Sequence, residues 1–159
     1  MTAPAGGRLR LATAGDGVQL LSLWELLFDD DADQQAAWRS HADEWLVRFV
    51  DDGATARLPL VEVDGEVVAS AIGTLELGVP NPHCPRGRTV RLANVFTVPE
   101  HRGHGYATLL VHDVITWARE IDADRVDLSS TPDAQHIYET AGFTLTSAPR
   151  MKLVLDAGR

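Results

Sequence analysis

A strand that runs through a glycine-rich turn into a helix is the feature of this sequence that most restricts its fold. Residues 89–98, TVRLANVFTV, have strand character, which stops at Pro99. The turn RGHGYA follows at residues 102–107. Apolar residues then recur at helical spacing, at Ala107, Leu110, Val111, Val114 and Ala118. The segment therefore predicts a strand–turn–helix unit of an α/β domain.

The turn has the composition of an anion-binding site. A helix N-terminus carries unpaired N–H groups and a partial positive charge, and it follows this turn directly. Gly103 and Gly105 let the main chain approach a bulky oxyanion, and Arg102 adds a charge-assisted contact. We therefore predict phosphate or pyrophosphate binding. A Walker-type Gly-Lys-Ser/Thr ending is missing, and a dinucleotide fingerprint would need glycine where Thr108 stands, so the pattern fits neither of those sites.

The remaining segments predict one mixed α/β sheet in the order β-α-α-β-β-β-α-β-α-β. Two of the strands, around Asp64-Gly65, form a hairpin signal, and Gly73 inside the second predicts a bulge or a close backbone approach. Besides residues 89–98, the predicted strands are Leu9–Thr13, 60–63, 66–72, 125–129 and one or two segments between Phe143 and Leu155.

Three further helices are predicted besides the one after the turn. Asp16 is interpreted as the N-cap of the first, with Gln19 completing a capping box. The acidic run at residues 29–33 is interpreted as the loop before the second helix. Thr131-Pro132 opens the last helix and Gly142 closes it.

Composition restricts the class of protein. A length of 159 residues fits a single domain, with a core over about residues 8–155. The net charge of −9 argues against a nucleic-acid partner and suits an amine-bearing substrate. No apolar run approaches the roughly 18 residues of a membrane span, and the N-terminus does not resemble a signal peptide. A cytoplasmic protein without a membrane partner is expected.

Neither the cysteine nor the histidines predict a metal site. Cys84 is the only cysteine, and it lies in a proline-rich loop over residues 78–87. We interpret it as a free, exposed thiol. The six histidines form no metal-ligand spacing.

The wider pattern resembles the GCN5-related N-acetyltransferase (GNAT) superfamily. Its signature, Gln/Arg-x-x-Gly-x-Gly/Ala, matches Arg102, Gly105 and Ala107. A second stretch, IYETAGF at residues 137–143, is similar to the Tyr-x-x-x-Gly-Phe ending of that family. The resemblance covers residues 88–155, and it implies the GNAT fold and an acyl-CoA-dependent N-acetyltransferase.

The resemblance also implies a mechanism and a set of site residues. Acetyl-CoA would transfer its acetyl group directly to a primary amine of a small molecule or peptide, within a ternary complex. Main-chain groups of Val95, Phe96 and Thr97 would bond the pantetheine and polarise the acetyl carbonyl. Tyr138 is expected to protonate the departing thiolate, because a phenol with a pKa near 10 is protonated at neutral pH. The pyrophosphate would be bound by the turn, at Arg102, Gly103, His104, Gly105, Tyr106 and Ala107.

The general base and the acceptor are not assigned by these motifs. Several members of the family carry a glutamate on the strand before the turn, where this chain has Leu92-Ala93-Asn94. Asn94 is a candidate to orient the acceptor or a water molecule, and Glu62, Glu76 or water are alternatives for the base. Because this strand lacks the carboxylate, a second class of protein is an alternative: a non-catalytic acyl-CoA-binding or regulatory domain. Many family members are dimers, so the resemblance also allows a homodimer.

Overall fold

The computed structural model describes residues 6–28 and 32–155, with the backbone alone for residues 32–36. Six strands form the sheet: β1 Arg8–Leu11, β2 Ala56–Arg57, β3 Pro59–Val63, β4 Glu66–Leu77, β5 Arg88–Thr97 and β6 Arg125–Asp127. The four α-helices are α1 Gly17–Phe28, α2 Ala32–Phe49, α3 Tyr106–Glu120 and α4 Gln135–Thr140. Of the acidic run at residues 29–33, positions 29–31 lie outside the described residues, and α2 begins at Ala32.

The sheet is mixed, as the sequence predicts. Its strand order is β1-β3-β4-β5-β6, and β2 pairs with one end of β4. All neighbouring strands are antiparallel except β5 and β6, which are parallel. This architecture confirms the predicted α/β class in a single domain.

Two details of the predicted element order are wrong. The two-residue strand β2 has no counterpart in the sequence prediction, because it is too short to show an alternating pattern. The one or two strands expected between Phe143 and Leu155 are not formed. Every residue from Thr144 to Leu155 is exposed, and none of them pairs with a strand of the described chain.

Helices cover both faces of the sheet. Helix α3 places Leu110, Val111 and Val114 against one face, and all three are fully buried. Helix α1 packs Leu20 and Trp24 against the other face. The sheet therefore lies between two apolar clusters, and β5 leads from the sheet to the glycine-rich turn.

Gly73 marks a close approach rather than a bulge. It pairs regularly with Leu92 across the β4–β5 ladder. A Cβ at this position would lie 2.7 Å from Cγ1 of Val114 and 3.1 Å from Cζ3 of Trp117. Glycine therefore lets α3 pack directly on the backbone of β4.

Asp16 acts from inside the first helical turn and is not its N-cap, which corrects the sequence interpretation. Thr13 is the N-cap of a single 3₁₀ turn over Ala14–Asp16. The buried Asp16 carboxylate accepts the Thr13 N–H at 2.7 Å and two guanidinium N–H groups of Arg10 at 2.7 and 2.8 Å. Its hydrogen bond with Arg10 lowers its pKa to about 2. The sequence alone could not show Arg10 as the partner, because the folded chain after β1 brings the Asp16 carboxylate to this guanidinium.

We expect Asp16→Asn to lower the free energy of unfolding at pH 7 by about 2 kcal/mol. Because the pKa is depressed in the folded state, this stabilisation is present above the ordinary value near 3.8 and is lost as pH falls toward 2. Urea unfolding at pH 7, 4 and 2.5 measures both effects, with the exposed Asp51→Asn as the control. Equal pH dependence of wild type and Asp16→Asn between pH 4 and 2.5 would contradict the assignment.

Candidate functional site

Strands β5 and β6 separate after a short stretch of pairing. The parallel ladder joins only Thr89–Arg91 to Arg125–Asp127, although β5 continues to Thr97. Residues 92–97 therefore carry no strand on this side within the described chain. Alternate residues of a strand direct their N–H and C=O groups to opposite edges, so part of this backbone faces an open edge.

A bulge at Asn94 shapes the open part of β5. Ile72 pairs with Ala93 and Ser70 pairs with Phe96, so Asn94 and Val95 lie opposite a single residue of β4. Asn94 has a φ of 51°, in the left-handed region that asparagine adopts more readily than most residues. This backbone requirement accounts for an asparagine here. Its side chain lines neither of the two cavities described below.

The turn after β5 forms a cleft with that open edge. Gly103 and Gly105 both have positive φ, at 83° and 79°, and Gly105 is the N-cap of α3. The first N–H groups of the 15-residue α3 therefore open into this region. The cleft has a volume of about 340 Å³ and is lined by Val95, Phe96, Thr97, His101, Arg102, Gly103, Gly105, Tyr106, Ala107, Thr108 and Ile137.

Arg102 is held at the mouth of this cleft, which is called the donor cleft for its predicted role. Its Nε donates to the Thr97 carbonyl at 3.1 Å, and its guanidinium carbon lies 5.6 Å from the centroid of the Phe96 ring. These contacts connect the turn to the end of β5. They place an exposed positive charge beside the N-terminus of α3, where both attract anions.

The structure brings together all but one of the residues predicted to bind the donor. His104 is exposed, lies 5.7 Å from the Tyr106 ring and does not line the cleft. Tyr106 is 2% exposed and its ring belongs to the core, so it offers the cleft mainly its backbone. His101, Thr108 and Ile137 also line the cleft, although the sequence prediction did not include them. Each lies next to a predicted motif in the sequence, and this proximity is the signal from which they could have been predicted.

Tyr138 borders a second cavity, on the other side of α4 from the donor cleft. Its ring is half-buried and meets Phe143 edge-on, at 5.9 Å between centroids. Burial raises the pKa of the Tyr138 phenol above its ordinary value. Ile137 lines the donor cleft, and Tyr138, the next residue, lines this second cavity, which is called the acceptor-side cavity for the role proposed below.

The comparison with protein families identifies the chain. The model of the acetyltransferase (GNAT) family matches residues 20–143, which is most of the sequence and includes both motifs. The chain belongs to the GNAT family. It is therefore an acyltransferase, and the fold described above is that of a GNAT domain.

Solved structures share the fold of this GNAT protein. A GCN5-related N-acetyltransferase from Ralstonia eutropha JMP134 superposes with a TM-score of 0.81 at 21% identity, over 93% of this chain and 99% of that one. A predicted acetyltransferase from Clostridium acetobutylicum, solved with acetyl-CoA, gives 0.81 at 20% identity, over 93% and 96%. Glucosamine-6-phosphate N-acetyltransferase from Arabidopsis thaliana gives 0.74 at 15% identity, over 92% and 97%. No curated protein sequence matches the chain significantly.

The two carboxylates considered as a general base are both paired with arginines. Arg10 donates to Glu62 at 2.8 Å, and Arg91 lies 3.5 Å from Glu76. Neither glutamate lines the donor cleft or the acceptor-side cavity. The carboxylates that do line the cavity of Tyr138 are Asp127 and Glu139, which the sequence prediction did not include. Only the fold brings Asp127 of β6 beside α4, whereas Glu139 directly follows Tyr138 in the sequence.

Cys84 is buried in this GNAT domain, which corrects the expectation of an exposed thiol. It is 3% exposed, and its thiol donates to Oδ2 of Asp124 at 3.2 Å. The same oxygen accepts the backbone N–H groups of Arg86 and Arg88. Asp124 therefore connects the proline-rich loop to the start of β6, and Cys84 has a structural environment.

The described residues hold neither a metal-binding cluster nor a membrane-spanning helix. Within residues 6–28 and 32–155, no group of three or more His, Cys, Asp or Glu side chains is arranged to hold a metal ion. No helix in the same ranges is long and apolar enough to cross a membrane.

Proposed function

We propose that this GNAT protein transfers an acetyl group from acetyl-CoA to a primary amine of a small molecule or peptide, directly within a ternary complex. One observation carries the proposal. The N-terminus of α3, the open edge of β5 and Ile137 of α4 line one cleft, and Tyr138, the next residue of α4, lines the neighbouring cavity. The donor and its acetyl group can therefore lie beside the helix that carries the proposed proton source.

The turn supports binding of the donor pyrophosphate. A Cβ built on Gly103 or Gly105 meets no atom within 4 Å, so the space above both residues is open to a ligand. Main-chain N–H groups at the start of α3 and the guanidinium of Arg102 can then share the phosphate charge. These residues suit a pyrophosphate better than a nucleoside triphosphate, since the P-loop lysine is missing.

The open edge of β5 supports the placement of the pantetheine and the thioester. The pantetheine arm contains amide groups, and main-chain groups of Val95, Phe96 and Thr97 can pair with them as a neighbouring strand would. The Thr97 carbonyl already accepts from Arg102, so Val95 and Phe96 are the main candidates. A main-chain N–H aimed at the thioester oxygen would stabilise developing negative charge, worth about 3 kcal/mol of barrier.

The chemical step needs a proton donor for sulfur and an acceptor for the amine proton. The amine nitrogen bonds to the carbonyl carbon, the C–S bond breaks, and the Tyr138 hydroxyl gives its proton to the leaving thiolate. Burial raises the pKa of Tyr138, which keeps this hydroxyl protonated at neutral pH. We propose that the amine proton leaves through water to solvent, because Glu62 and Glu76 are engaged with arginines.

The acceptor is proposed only as a class. The net charge of −9 favours approach of an amine-bearing molecule through long-range attraction. The Arabidopsis relative acts, by its name, on an amino sugar phosphate. The acceptor-side cavity here carries both signs of charge, from Arg91, Arg125 and Asp127 among others, and thus suits a polar acceptor.

We expect thiol release from acetyl-CoA in the presence of at least one class of primary amine. The panel comprises amino sugars, polyamines, amino acids and short peptides, with the N-acetylated form of each compound as its matched control. Release with the free amine and none with the blocked amine would support transfer to nitrogen. Tight CoA binding without turnover on any amine would contradict the proposal, and it would favour an acyl-CoA-binding domain.

A further inference from the structure

Three arginines line the acceptor-side cavity, which has a volume of about 470 Å³. They are Arg91, Arg125 and Arg150, out of 14 basic residues in a chain with a net charge of −9. The lining carboxylates are Asp127 and Glu139, so the ionised side chains around this cavity are more positive than negative. The sign of the local charge is therefore opposite to that of the whole protein, which favours a ligand with an anionic group.

The alternation of side chains along β5 and β6 places these charges on one face of the sheet. Val90 and Val126 are register partners, and both pack in the apolar cluster on the α3 side. Arg91 and Asp127, the next partners, therefore point to the opposite face. Arg125 points the same way, because it lies two residues before Asp127. The charged groups thus lie at the end of the paired region, where the two strands separate.

The ion pairs of two of these arginines are long and exposed. Arg91 lies 3.5 Å from Glu76, and Arg125 lies 3.5 Å from Asp127. The two carboxylate side chains are 53% and 40% exposed, so water screens both pairs and their net attraction is small. A guanidinium carries five N–H donors, and one carboxylate at this distance leaves most of them available. Both arginines can therefore bind a further anion without giving up a strong contact.

Arg150 is held beside the cavity by a neutral group. Its Nη1 donates to Oγ of Ser129 at 2.7 Å, and Ser129 lies two residues beyond the end of β6. Among residues 6–28 and 37–155, whose side chains the structure describes, no carboxylate lies within 4.0 Å of this guanidinium. Its positive charge is thus not neutralised by the protein, and a guanidinium binds phosphate or carboxylate through paired N–H groups.

We propose that the acceptor carries an acidic group, a phosphate or a carboxylate, in addition to its amine, and that the three arginines bind this group. The inference rests on the acetyl transfer proposed above and adds the chemical class of the acceptor to it. Tyr138 lines the same cavity, so an acceptor held by its anion can direct its amine toward the site of transfer. The ammonium of such a molecule offsets the repulsion between its anion and the net charge of −9.

The first test compares acceptors that differ only in the acidic group. The phosphate arm compares glucosamine-6-phosphate with glucosamine, and the carboxylate arm compares glycylglycine with glycylglycinamide. We expect kcat/KM of the charged member to exceed that of the neutral member by about tenfold or more in at least one arm. The arm that responds identifies the anion. Equal or lower kcat/KM for the charged member in both arms would contradict the proposal.

Arg150→Gln removes the arginine that has no ion pair in the described chain. We expect it to lower the ratio of kcat/KM between the charged and neutral members by about tenfold, because the anion loses a charge-assisted contact. Arg119→Gln is the matched control: it removes the same charge from an exposed residue of α3 that lines neither the donor cleft nor the acceptor-side cavity. An unchanged ratio in Arg150→Gln, or an equal loss in both variants, would overturn the assignment.

Binding without turnover separates this inference from the proposed acetyl transfer. The same four compounds are titrated calorimetrically into protein saturated with CoA, which has no acetyl group to donate. We expect the charged member of the responding pair to bind with the lower Kd, and Arg150→Gln to raise that Kd by about tenfold. The Kd for CoA should be the same in Arg150→Gln and wild type.

The outcomes of the two tests are distinguishable. Preferred binding of a charged member without acetylation of any amine would support the acid-binding site and contradict acetyl transfer. Acetylation without any preference for a charged member would support acetyl transfer and overturn this inference. Binding of neither member of either pair would overturn it as well. A weaker affinity for CoA in Arg150→Gln would assign the arginines to the donor, which also contradicts an acceptor site.

Discussion

Replacing Tyr138 with phenylalanine is expected to lower kcat by about 10²- to 10⁴-fold, the usual contribution of a positioned general acid. The substitution removes one hydroxyl and keeps the ring, so the edge-on contact with Phe143 at 5.9 Å is retained. KM for acetyl-CoA should change little, because the donor cleft is built by the turn and β5. Steady-state kinetics with the best amine of the panel measure both constants.

The pH profile distinguishes a proton donor from a packing residue. Burial raises the pKa of Tyr138 above its ordinary value near 10, so its hydroxyl loses the proton only in strongly alkaline solution. Wild-type kcat should therefore fall at high pH as this phenol ionises, and Tyr138→Phe should lack that alkaline limb. A variant with unchanged kcat, or with the same alkaline limb as wild type, would remove Tyr138 from the mechanism.

Gly105→Val is the second substitution for which we expect a large effect, a loss of CoA affinity of tenfold or more. The φ of 79° at Gly105 is strained for any residue with a Cβ, and the new side chain would project into the open space of the cleft. It would thus obstruct the approach of a pyrophosphate to the N–H groups of α3. Isothermal titration with CoA measures the Kd, and circular dichroism checks that the fold is retained.

Gly65→Val is the matched control for backbone strain. Gly65 has a φ of 83° in the turn between β3 and β4, and a Cβ there also meets no atom within 4 Å. Both variants should lose about 1–2 kcal/mol of folding free energy from the left-handed backbone. Only Gly105→Val should lose CoA affinity. Equal affinity for CoA in Gly105→Val and wild type would refute the assignment of the turn as the pyrophosphate site.

The geometry of the strand–turn–helix unit could be predicted from sequence because its determinants are local. A strand, a turn with two positive-φ glycines and a helix are contiguous over residues 88–120, and short-range backbone chemistry decides their geometry. The β3–β4 hairpin was predictable for the same reason, through Asp64-Gly65.

Groups whose state depends on a partner outside their own segment could not be predicted. Asp16 is predicted to be a cap, but Arg10 of β1, six residues before it, binds its carboxylate. Cys84 was expected to be exposed, but Asp124, forty residues away, binds and buries it. Glu62 and Glu76 looked free, but arginines of neighbouring strands pair with them. In each case the exposure of the side chain, or the pairing of its charge, depends on another residue that the fold brings beside it.

The sequence by itself determined the family and the position of the turn that we propose binds the donor, because short segments with their own backbone preferences encode them. Only the tertiary structure decided which carboxylates are paired with arginines, which residues share the cavity of Tyr138 and that residues 144–155 are exposed. Long-range pairing controls these properties. Residues 151–155 show the difference: their apolar composition predicts a strand, yet they form none in the described chain, because a strand also needs a partner strand with which to pair.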